Sequence, residues 1–383
     1  MLTTQNDLLS WCGTQQPWLL ETIGALVRLE SPSDDKAAVD RCGAELTARL
    51  VSVGARVERL AQRTRGDHIR ATVGDGERQV MLLGHFDTVW SIGSIERMPF
   101  REEEGRLYGP GVFDMKAGIA VAMLAVRALR EIASANGPRI VMLWTTDEEV
   151  GSGTSRAVIE DEARRSQAVL VLEPSLPGGA AKTSRKGCGD FELTVHGIAA
   201  HAGIDPGKGA NAIHEMALQI AAIHRLQDLE RGISVNVGLV SGGTRTNVVP
   251  ERAQASIDVR ARTMADAARV EAALRGLRAQ TPGTRLELEG GFSRPPLERG
   301  EHVARLFQTA RGAAKELGAE LAEGGTGGGS DGNFTAALGV PTLDGLGPRG
   351  DGAHAVHEHV ELGDLPWRAA FLARFLATLA EVE

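Results

Sequence analysis

Three adjacent carboxylates, Asp147, Glu148 and Glu149, are the side chains in this sequence with the clearest capacity for chemistry. They follow the apolar run at residues 140–144 after only two threonines. Neighbouring carboxylates repel one another, so burying them at the end of a strand is costly unless a cation compensates their charge. One glutamate could then bind a metal ion while the other acts as general base on a water molecule. A solvated acidic turn is the alternative, but it does not explain why the cluster ends an apolar strand.

His85 and Asp87 form a second candidate pair. They directly follow the apolar run at residues 80–84, and in an extended segment their side chains lie on the same side. Because a zinc-bound histidine usually donates its other ring N–H to a carboxylate, we interpret His85 as a metal ligand and Asp87 as the group that orients it. A buried histidine that is satisfied by a nearby carboxylate is the structural alternative.

Asp114 is a further candidate. It lies in the glycine-containing segment 109–116, directly ahead of a predicted helix that begins at Ala117. A carboxylate has two oxygens and can bridge two cations. An aspartate at this position is also an ordinary helix N-cap, so both interpretations stay open on these residues alone.

The elements that must position these groups are three apolar runs with the length of buried strands, at residues 80–84, 140–144 and 168–172. A predicted helix at about residues 117–133 separates the first two runs. Strands that alternate with helices predict an α/β domain with a mostly parallel sheet. His85, Glu149 and Glu173 each follow the carboxyl end of such a strand, which is where open α/β sheets bind ligands.

The pattern changes near residue 184. From there to residue 293 the predicted order is strand, helix, strand, strand, helix, strand, with a long amphipathic helix at residues 209–229. This order predicts a ferredoxin-like α+β domain at residues 184–293. The catalytic domain would then consist of two parts, residues 1–183 and 294–383.

The composition limits the class of protein. A chain of 383 residues with 42% hydrophobic and 24% charged residues is typical of a globular protein of two domains. The net charge of −8 argues against nucleic acid as a partner. Cys12, Cys42 and Cys188 lie far apart, as free thiols in a reducing compartment would. No signal peptide or membrane-spanning run is recognisable, so we expect a cytoplasmic protein without a membrane partner.

Together the motifs resemble those of one family of zinc exopeptidases and deacylases. The similar segments occur in the family's order, as His85-x-Asp87, Asp114-Met-Lys-x-Gly, Asp147-Glu-Glu-x-Gly-Ser, Glu173-Pro and His201-Ala-Gly. The family includes glutamate carboxypeptidase (carboxypeptidase G), acetylornithine deacetylase, succinyl-diaminopimelate desuccinylase and aminoacylase. The resemblance runs from about residue 20 to residue 375. The segments at residues 327–331 and 247–250 are most similar to the glutamate carboxypeptidase branch.

The resemblance implies a metal ligand set of five residues. His85 and Glu173 would bind one zinc ion, Glu149 and His354 would bind a second, and Asp114 would bridge the two. It further implies that Glu148 is the general base, that Asp87 holds His85, and that the peptide bond after Asp114 is cis.

The resemblance also gives roles to residues of the inserted domain, which would be a lid and dimerisation domain. His201 would reach the active site of a partner subunit and stabilise the oxyanion, so a homodimer is implied. Asn247 and Arg260 would bind the substrate backbone and its carboxylate, a task that suits the guanidinium fork of arginine.

The segment at residues 352–359 contains three histidines. A histidine four residues before a glutamate is the pattern of the family, and it selects His354 together with Glu358. His357 is the main competitor for the metal-binding role, and we expect His359 to face solvent.

The function implied by the resemblance is hydrolysis of a peptide or acyl-amide bond by a metallopeptidase with two zinc ions per subunit. Cobalt or manganese would also suit such ligands. A carboxypeptidase that releases a C-terminal, glutamate-like amino acid from a small peptide is the first hypothesis. A deacylase of N-acyl amino acids, like acetylornithine deacetylase or the desuccinylase, is the alternative. A non-catalytic relative that binds a metal or ligand is a remote third, against which the intact Glu148 argues.

Overall fold

The structure of the chain is a computed structural model that describes residues 5–132 and 138–381. The described residues form eleven α-helices, which are α1 (Gln5–Thr14), α2 (Gln16–Arg28), α3 (Lys36–Ser52), α4 (Ser94–Arg97), α5 (Ala117–Ile132), α6 (Arg156–Arg164), α7 (Ala212–His224), α8 (Met264–Arg275), α9 (Glu301–Glu316), α10 (Gly332–Ala337) and α11 (Asp364–Glu381). Among the residues described, no helix is both long and apolar enough to cross a membrane.

The described residues also form eighteen β-strands, which are β1 (Arg56–Leu60), β2 (His68–Val73), β3 (Gln79–His85), β4 (Arg101–Glu103), β5 (Arg106–Tyr108), β6 (Arg139–Thr145), β7 (Ala168–Val171), β8 (Ala181–Arg185), β9 (Gly187–His196), β10 (Ala200–His201), β11 (Ser234–Gly242), β12 (Val248–Val249), β13 (Arg252–Ala261), β14 (Arg285–Arg294), β15 (Glu323–Thr326), β16 (Thr342–Leu343), β17 (Gly350–Asp351) and β18 (His359–Glu361).

The chain divides into two compact units. The first consists of Met1–Ser184, Arg299–Gly325 and Ser330–Glu383, and the second of Arg185–Glu298 and Thr326–Gly329. The second unit is therefore inserted into the sequence of the first. It takes in residues 294–298 and 326–329, which lie outside the range 184–293 assigned to the inserted domain from the sequence.

The first unit is built on a six-stranded sheet with the order β1-β2-β6-β3-β7-β16. Strands β6, β3, β7 and β16 are parallel, whereas β1 and β2 are antiparallel at one edge. Helices cover both faces. Val80 and Leu82 of β3 share a hydrophobic cluster with α5 and α11, and Met81 and Leu83 share another with α6 and α10. This burial on both faces explains the continuous apolar runs in the sequence, and the predicted α/β fold with a mostly parallel sheet is confirmed.

The second unit has the order β9-α7-β11-β13-α8-β14, which is the β-α-β-β-α-β order predicted from the sequence. Its four strands form an antiparallel sheet in the order β11-β13-β9-β14. Alternate residues of β13, among them Ile257 and Val259, are buried in a cluster with α7 and α8. The alternation in the sequence thus reflects a sheet with helices on one face only.

One helix prediction was wrong in its bounds. The helix expected at residues 209–229 is α7, Ala212–His224. It begins there because the side chain of Asn211 accepts the N–H of His214, which caps the first turn. It ends before residue 229 because Asp228 and Ile233 pair through two backbone hydrogen bonds and close a turn.

Candidate active site

The site lies where parallel strands of the first unit end side by side. Strand β3 ends at His85 and lies between β6 and β7 in the sheet. A short 3₁₀ turn, Glu148–Val150, follows β6, and Glu173 follows β7. Because carboxyl ends of neighbouring parallel strands meet at one edge, side chains distant in sequence come together here.

Asp114 lies between two pairs of ligand-type side chains. Its Oδ1 is 3.2 Å from His85 Nε2, which is also 3.4 Å from Glu173 Oε1. Its Oδ2 is 3.3 Å from His354 Nε2, which is also 3.2 Å from Glu149 Oε2. Each oxygen of the Asp114 carboxylate therefore faces one imidazole, and each imidazole also contacts one further carboxylate, which is the arrangement that a bridge between two cation positions requires.

The donor atoms fit a metal centre chemically as well. The ligand atoms of His85, Asp114 and Glu149 lie within 4.8 Å of one another. The Oε1 atom of Glu149 is buried and has no hydrogen-bond partner within the described residues. Leaving a buried carboxylate oxygen without a partner is costly, and a bound cation would remove that cost. Imidazole nitrogens combined with carboxylate oxygens are a ligand set that zinc accepts.

The electrostatics of the cluster favour positive charge. Burial disfavours the imidazolium of His85, but hydrogen bonds to Asp114, Asp87 and Glu173 outweigh it and raise its pKa well above the usual value. Hydrogen bonds to Asp114 and Glu149 raise the pKa of His354 to about 10. Burial raises the pKa of Glu149. The carboxylates thus hold protons on the imidazoles, which is the behaviour of a site built around cations.

Asp87 contacts both His85 and the acidic turn. Its Oδ1 lies 3.4 Å from His85 Nδ1, while its own backbone oxygen lies closer to that nitrogen, at 3.0 Å. Its carboxylate also accepts the hydroxyl of Ser33 at 2.7 Å and lies 3.4 Å from the backbone nitrogens of Glu148 and Glu149. Asp87 therefore connects the end of β3 with the turn that carries both glutamates, a connection that sequence reasoning missed.

Glu148 and Glu149 both lie in the 3₁₀ turn, and both residues are partly exposed. The Glu149 side chain is 7% exposed and points towards His354. Glu148 is partly exposed at the start of the 3₁₀ turn. A buried oxygen suits a ligand, and access from solvent suits a group that exchanges protons with a substrate.

Glu358 holds the loop that presents Asp114, a role that sequence reasoning missed. In the sequence, Glu358 only helped to identify His354 as the candidate ligand. Its carboxylate accepts the backbone N–H groups of Gly111, Phe113 and Asp114 at 2.9–3.0 Å and the indole N–H of Trp90 at 2.8 Å. It thereby fixes the loop that presents Asp114. The peptide bond between Asp114 and the next residue is cis, as the resemblance implied.

Of the three histidines at residues 352–359, the structure places His354 against Asp114 and Glu149. His354 has a left-handed backbone conformation, with a φ of 61°. His357 is exposed. The expectation that His359 faces solvent was wrong, because β18 pairs with β5 and buries its imidazole against the ring of Tyr108, with 5.2 Å between the centroids.

His201 and Asn247 are neighbours in the second unit. Strand β10, which contains His201, pairs with β12, and the backbone oxygen of Asn247 accepts the N–H of Ala202. Both residues are exposed. His201 Nδ1 accepts the backbone N–H groups of Gly203 and Ile204 at 3.1 and 3.2 Å. These bonds select the tautomer with the proton on Nε2, so the exposed edge of the ring is a hydrogen-bond donor.

Arg260 lies on β13 of the second unit, opposite Cys188 of β9. Its Nε and Nη2 donate to both carboxylate oxygens of Asp258, and Nη1 contacts Cys188 Sγ. The hydrogen bond to Asp258 raises the pKa of Arg260. Asp258 therefore orients the guanidinium fork.

Comparison with known proteins identifies the family by a family model and by curated relatives, and it supports the fold by a solved structure. The model of peptidase family M20/M25/M40 matches residues 81–378. Carboxypeptidase G2 from Pseudomonas sp. (strain RS-16) is 31% identical, with 98% of this chain and 92% of that protein covered. Succinyl-diaminopimelate desuccinylase from Xanthomonas oryzae pv. oryzae (strain MAFF 311018) is 30% identical, with 85% and 89% covered. The crystal structure of aminopeptidase PepT from Bacillus cereus ATCC 10987 has a TM-score of 0.77 at 23% identity, with 95% and 99% covered, and shows similarity of fold.

Proposed function

Because this chain belongs to peptidase family M20/M25/M40 and is a metallopeptidase or amidohydrolase, we propose that it is a two-zinc carboxypeptidase. It releases a C-terminal, glutamate-like amino acid from a small peptide. The observation that carries the proposal is the position of Asp114. One of its carboxylate oxygens faces His85, which also contacts Glu173, and the other faces His354, which also contacts Glu149.

Five residues would hold the metal ions in this proposal, namely His85, Asp114, Glu149, Glu173 and His354. Bound zinc would supply Lewis-acid chemistry, polarising the amide carbonyl and lowering the pKa of water. The unpartnered oxygen of Glu149 supports the presence of a cation. We propose zinc as the metal, although cobalt and manganese also bind imidazole and carboxylate donors.

Glu148 is the proposed general base. Its carboxylate would take a proton from the attacking water and return it to the nitrogen of the leaving amine. Asp87 would keep His85 and the acidic turn in place, since it contacts both. His201 would donate a hydrogen bond from its Nε2–H group to the developing oxyanion, and the tautomer selected by Gly203 and Ile204 supports that role.

Arg260 and Asn247 are the proposed contacts to the carboxylate and backbone of the substrate. Asp258 occupies the Nε–Nη2 edge of the Arg260 guanidinium, so the substrate carboxylate would bind at its Nη1–Nη2 edge. Similarity to carboxypeptidase G2 over nearly the full chain supports the carboxypeptidase. Similarity to succinyl-diaminopimelate desuccinylase favours, as the second candidate, a deacylase of N-acyl amino acids.

Amine release by zinc-loaded protein tests the proposal. The panel pairs peptides ending in glutamate with N-acetyl and N-succinyl amino acids, and each with an arginine and a neutral counterpart. Faster turnover of the glutamate peptides supports the carboxypeptidase, and faster turnover of the simple amides supports the deacylase. Glu148→Gln is the control, because it should keep the zinc content and lose most turnover. Turnover of Glu148→Gln like that of the wild type would remove Glu148 from the proposed role.

We also propose a cytoplasmic homodimer in which His201 acts on the partner subunit. Strand β11 is an edge of its sheet, and Leu239 and Val240 on it are 71% and 62% exposed, which supports a contact between copies.

Mixing the Glu148→Gln variant with the His201→Ala variant tests whether His201 acts on the partner subunit. If His201 acts in trans, mixed dimers contain one complete site, and an equal mixture recovers about a quarter of wild-type activity. A mixture no more active than its components would exclude action in trans.

A further inference from the structure

One buried imidazole holds both ends of the turn that carries Glu148 and Glu149. His68 begins β2 and is 0% exposed. Its Nδ1 lies 2.9 Å from Thr146 Oγ1, and its Nε2 lies 3.1 Å from Thr154 Oγ1. The two threonines flank residues 147–153. We propose that His68 is a positioning residue that fixes this acidic turn and thereby aims both glutamates.

The hydrogen bonds around His68 determine which nitrogen carries the proton. Thr146 Oγ1 donates its single proton to the backbone oxygen of Gly66 at 2.6 Å, so it accepts from His68 Nδ1–H. Nε2 of a neutral ring is then an acceptor and faces the hydroxyl of Thr154. That hydroxyl also donates to Asp147 Oδ2 at 2.8 Å, so its single proton is shared between this carboxylate and His68 Nε2. The imidazole therefore links the two ends of the turn, through donation from Nδ1 to Thr146 and through the contact of Nε2 with Thr154 Oγ1.

The charged groups around His68 are consistent with a neutral ring. Burial lowers the pKa of His68, and the carboxylates of Asp147, Asp331 and Asp87 oppose that shift without reversing it. A neutral imidazole keeps Nε2 as an acceptor at ordinary pH.

The turn at residues 147–154 is closed by hydrogen bonds between its own residues. The backbone oxygen of Asp147 accepts the N–H of Ser152 at 2.7 Å, and Asp147 Oδ2 accepts the N–H of Thr154 at 2.6 Å. The Ser152 hydroxyl also donates to Asp331. Because hydrogen bonds within the turn already maintain its shape, the bonds from His68 mainly fix the position of the turn relative to β2. Loss of His68 would let Glu148 and Glu149 shift together.

The expected effect is on turnover. A displacement of about 1 Å at a reacting group costs on the order of 100-fold in rate, so we expect His68→Leu to lower kcat about 10- to 100-fold. KM should change less than about twofold, because His68 contacts none of the proposed substrate-binding residues. The prediction of kcat rests on the proposed function.

The matched control is Gln79→Leu. Gln79 is also buried and begins β3, and it bonds to Glu162 and Ser166 at the end of the sheet away from the site. Both variants should lower the melting temperature, but only His68→Leu should lower kcat. His68→Asn, whose amide can still donate to Thr146, should recover part of the loss. Equal kcat losses in the two leucine variants, or kcat of His68→Leu within about twofold of wild type, would overturn the proposal.

A measurement that needs no substrate separates this proposal from the proposed function. ¹⁵N NMR of the imidazole in zinc-loaded protein should show His68 neutral with the proton on Nδ1. The signal should move on Thr146→Val, which removes the acceptor. A proton on Nε2 instead would overturn the positioning scheme. If the panel shows no hydrolysis while His68 has the expected tautomer, the proposed function fails and the scheme stands.

Discussion

Glu358→Gln should destabilise the first unit at the loop that presents Asp114. The Glu358 carboxylate accepts four hydrogen bonds, from Gly111 and Trp90 on Oε2 and from Phe113 and Asp114 on Oε1. Glutamine keeps one oxygen and replaces the other with an NH₂ group that cannot accept. In either orientation of the amide, one buried donor (Gly111 or Phe113) and one partly buried donor (Trp90 or Asp114) then lose their acceptor.

The magnitude follows from the two donors. An unsatisfied buried donor costs about 1–3 kcal/mol, so two cost about 2–6 kcal/mol. Burial raises the pKa of Glu358, which means that the native carboxylate carries a desolvation cost that neutral glutamine avoids. The offset places the expected loss in the free energy of unfolding in the lower half of that range, at about 2–4 kcal/mol.

Urea unfolding followed by circular dichroism measures this loss, and metal analysis by mass spectrometry measures zinc per chain. Glu361→Gln is the matched control, because Glu361 lies three residues after Glu358, in β18, is 43% exposed and pairs with Arg349 at 2.8 Å. An exposed pair contributes about 0–1 kcal/mol. If Glu358→Gln costs no more than Glu361→Gln and keeps full zinc content, the carboxylate does not hold the loop.

Three further predictions concern the site. His354→Ala should bind one zinc ion fewer than wild type while His357→Ala binds the full number; equal zinc contents by mass spectrometry would contradict the ligand assignment. Zinc binding near pH 7 should release protons, because in the metal-free protein His85 and His354 have raised pKa values, about 10 for His354, and zinc takes the deprotonated ring. Calorimetry in buffers of different ionisation enthalpy measures this release, which should decrease as the pH rises through the raised pKa; no dependence on the buffer at pH 7 would refute it. Arg260→Lys should raise KM for glutamate peptides about tenfold with little change in kcat, because an ammonium loses the two-pronged contact oriented by Asp258; steady-state kinetics would contradict this if KM were unchanged.

Much of the site was predictable because ligands at a parallel sheet edge are encoded locally. His85, Glu149 and Glu173 each end an apolar run, and parallel neighbours bring such ends together without further information. The order of strands and helices in the inserted segment likewise predicted its topology, since alternation with a period of two distinguishes its strands from the fully buried ones.

Other features of the site could not be predicted from local sequence patterns. His359 was expected in solvent because it lies in a polar segment, yet pairing of β18 with β5 buries it. The role of Glu358 depends on backbone N–H groups more than 240 residues earlier in the chain. His68 begins an ordinary strand, and its partners are threonines 78 and 86 residues later.

The sequence by itself therefore determined the family, the two-part architecture and the residue types of the candidate metal centre, because strand ends and motif spacing are properties of the chain. The tertiary structure decided which of three neighbouring histidines faces Asp114, and which buried groups hold the loop and the acidic turn in place. Those choices depend on hydrogen bonds between segments far apart in sequence. Such bonds form only where packing brings the partners within about 3 Å of each other, and no local pattern records that distance.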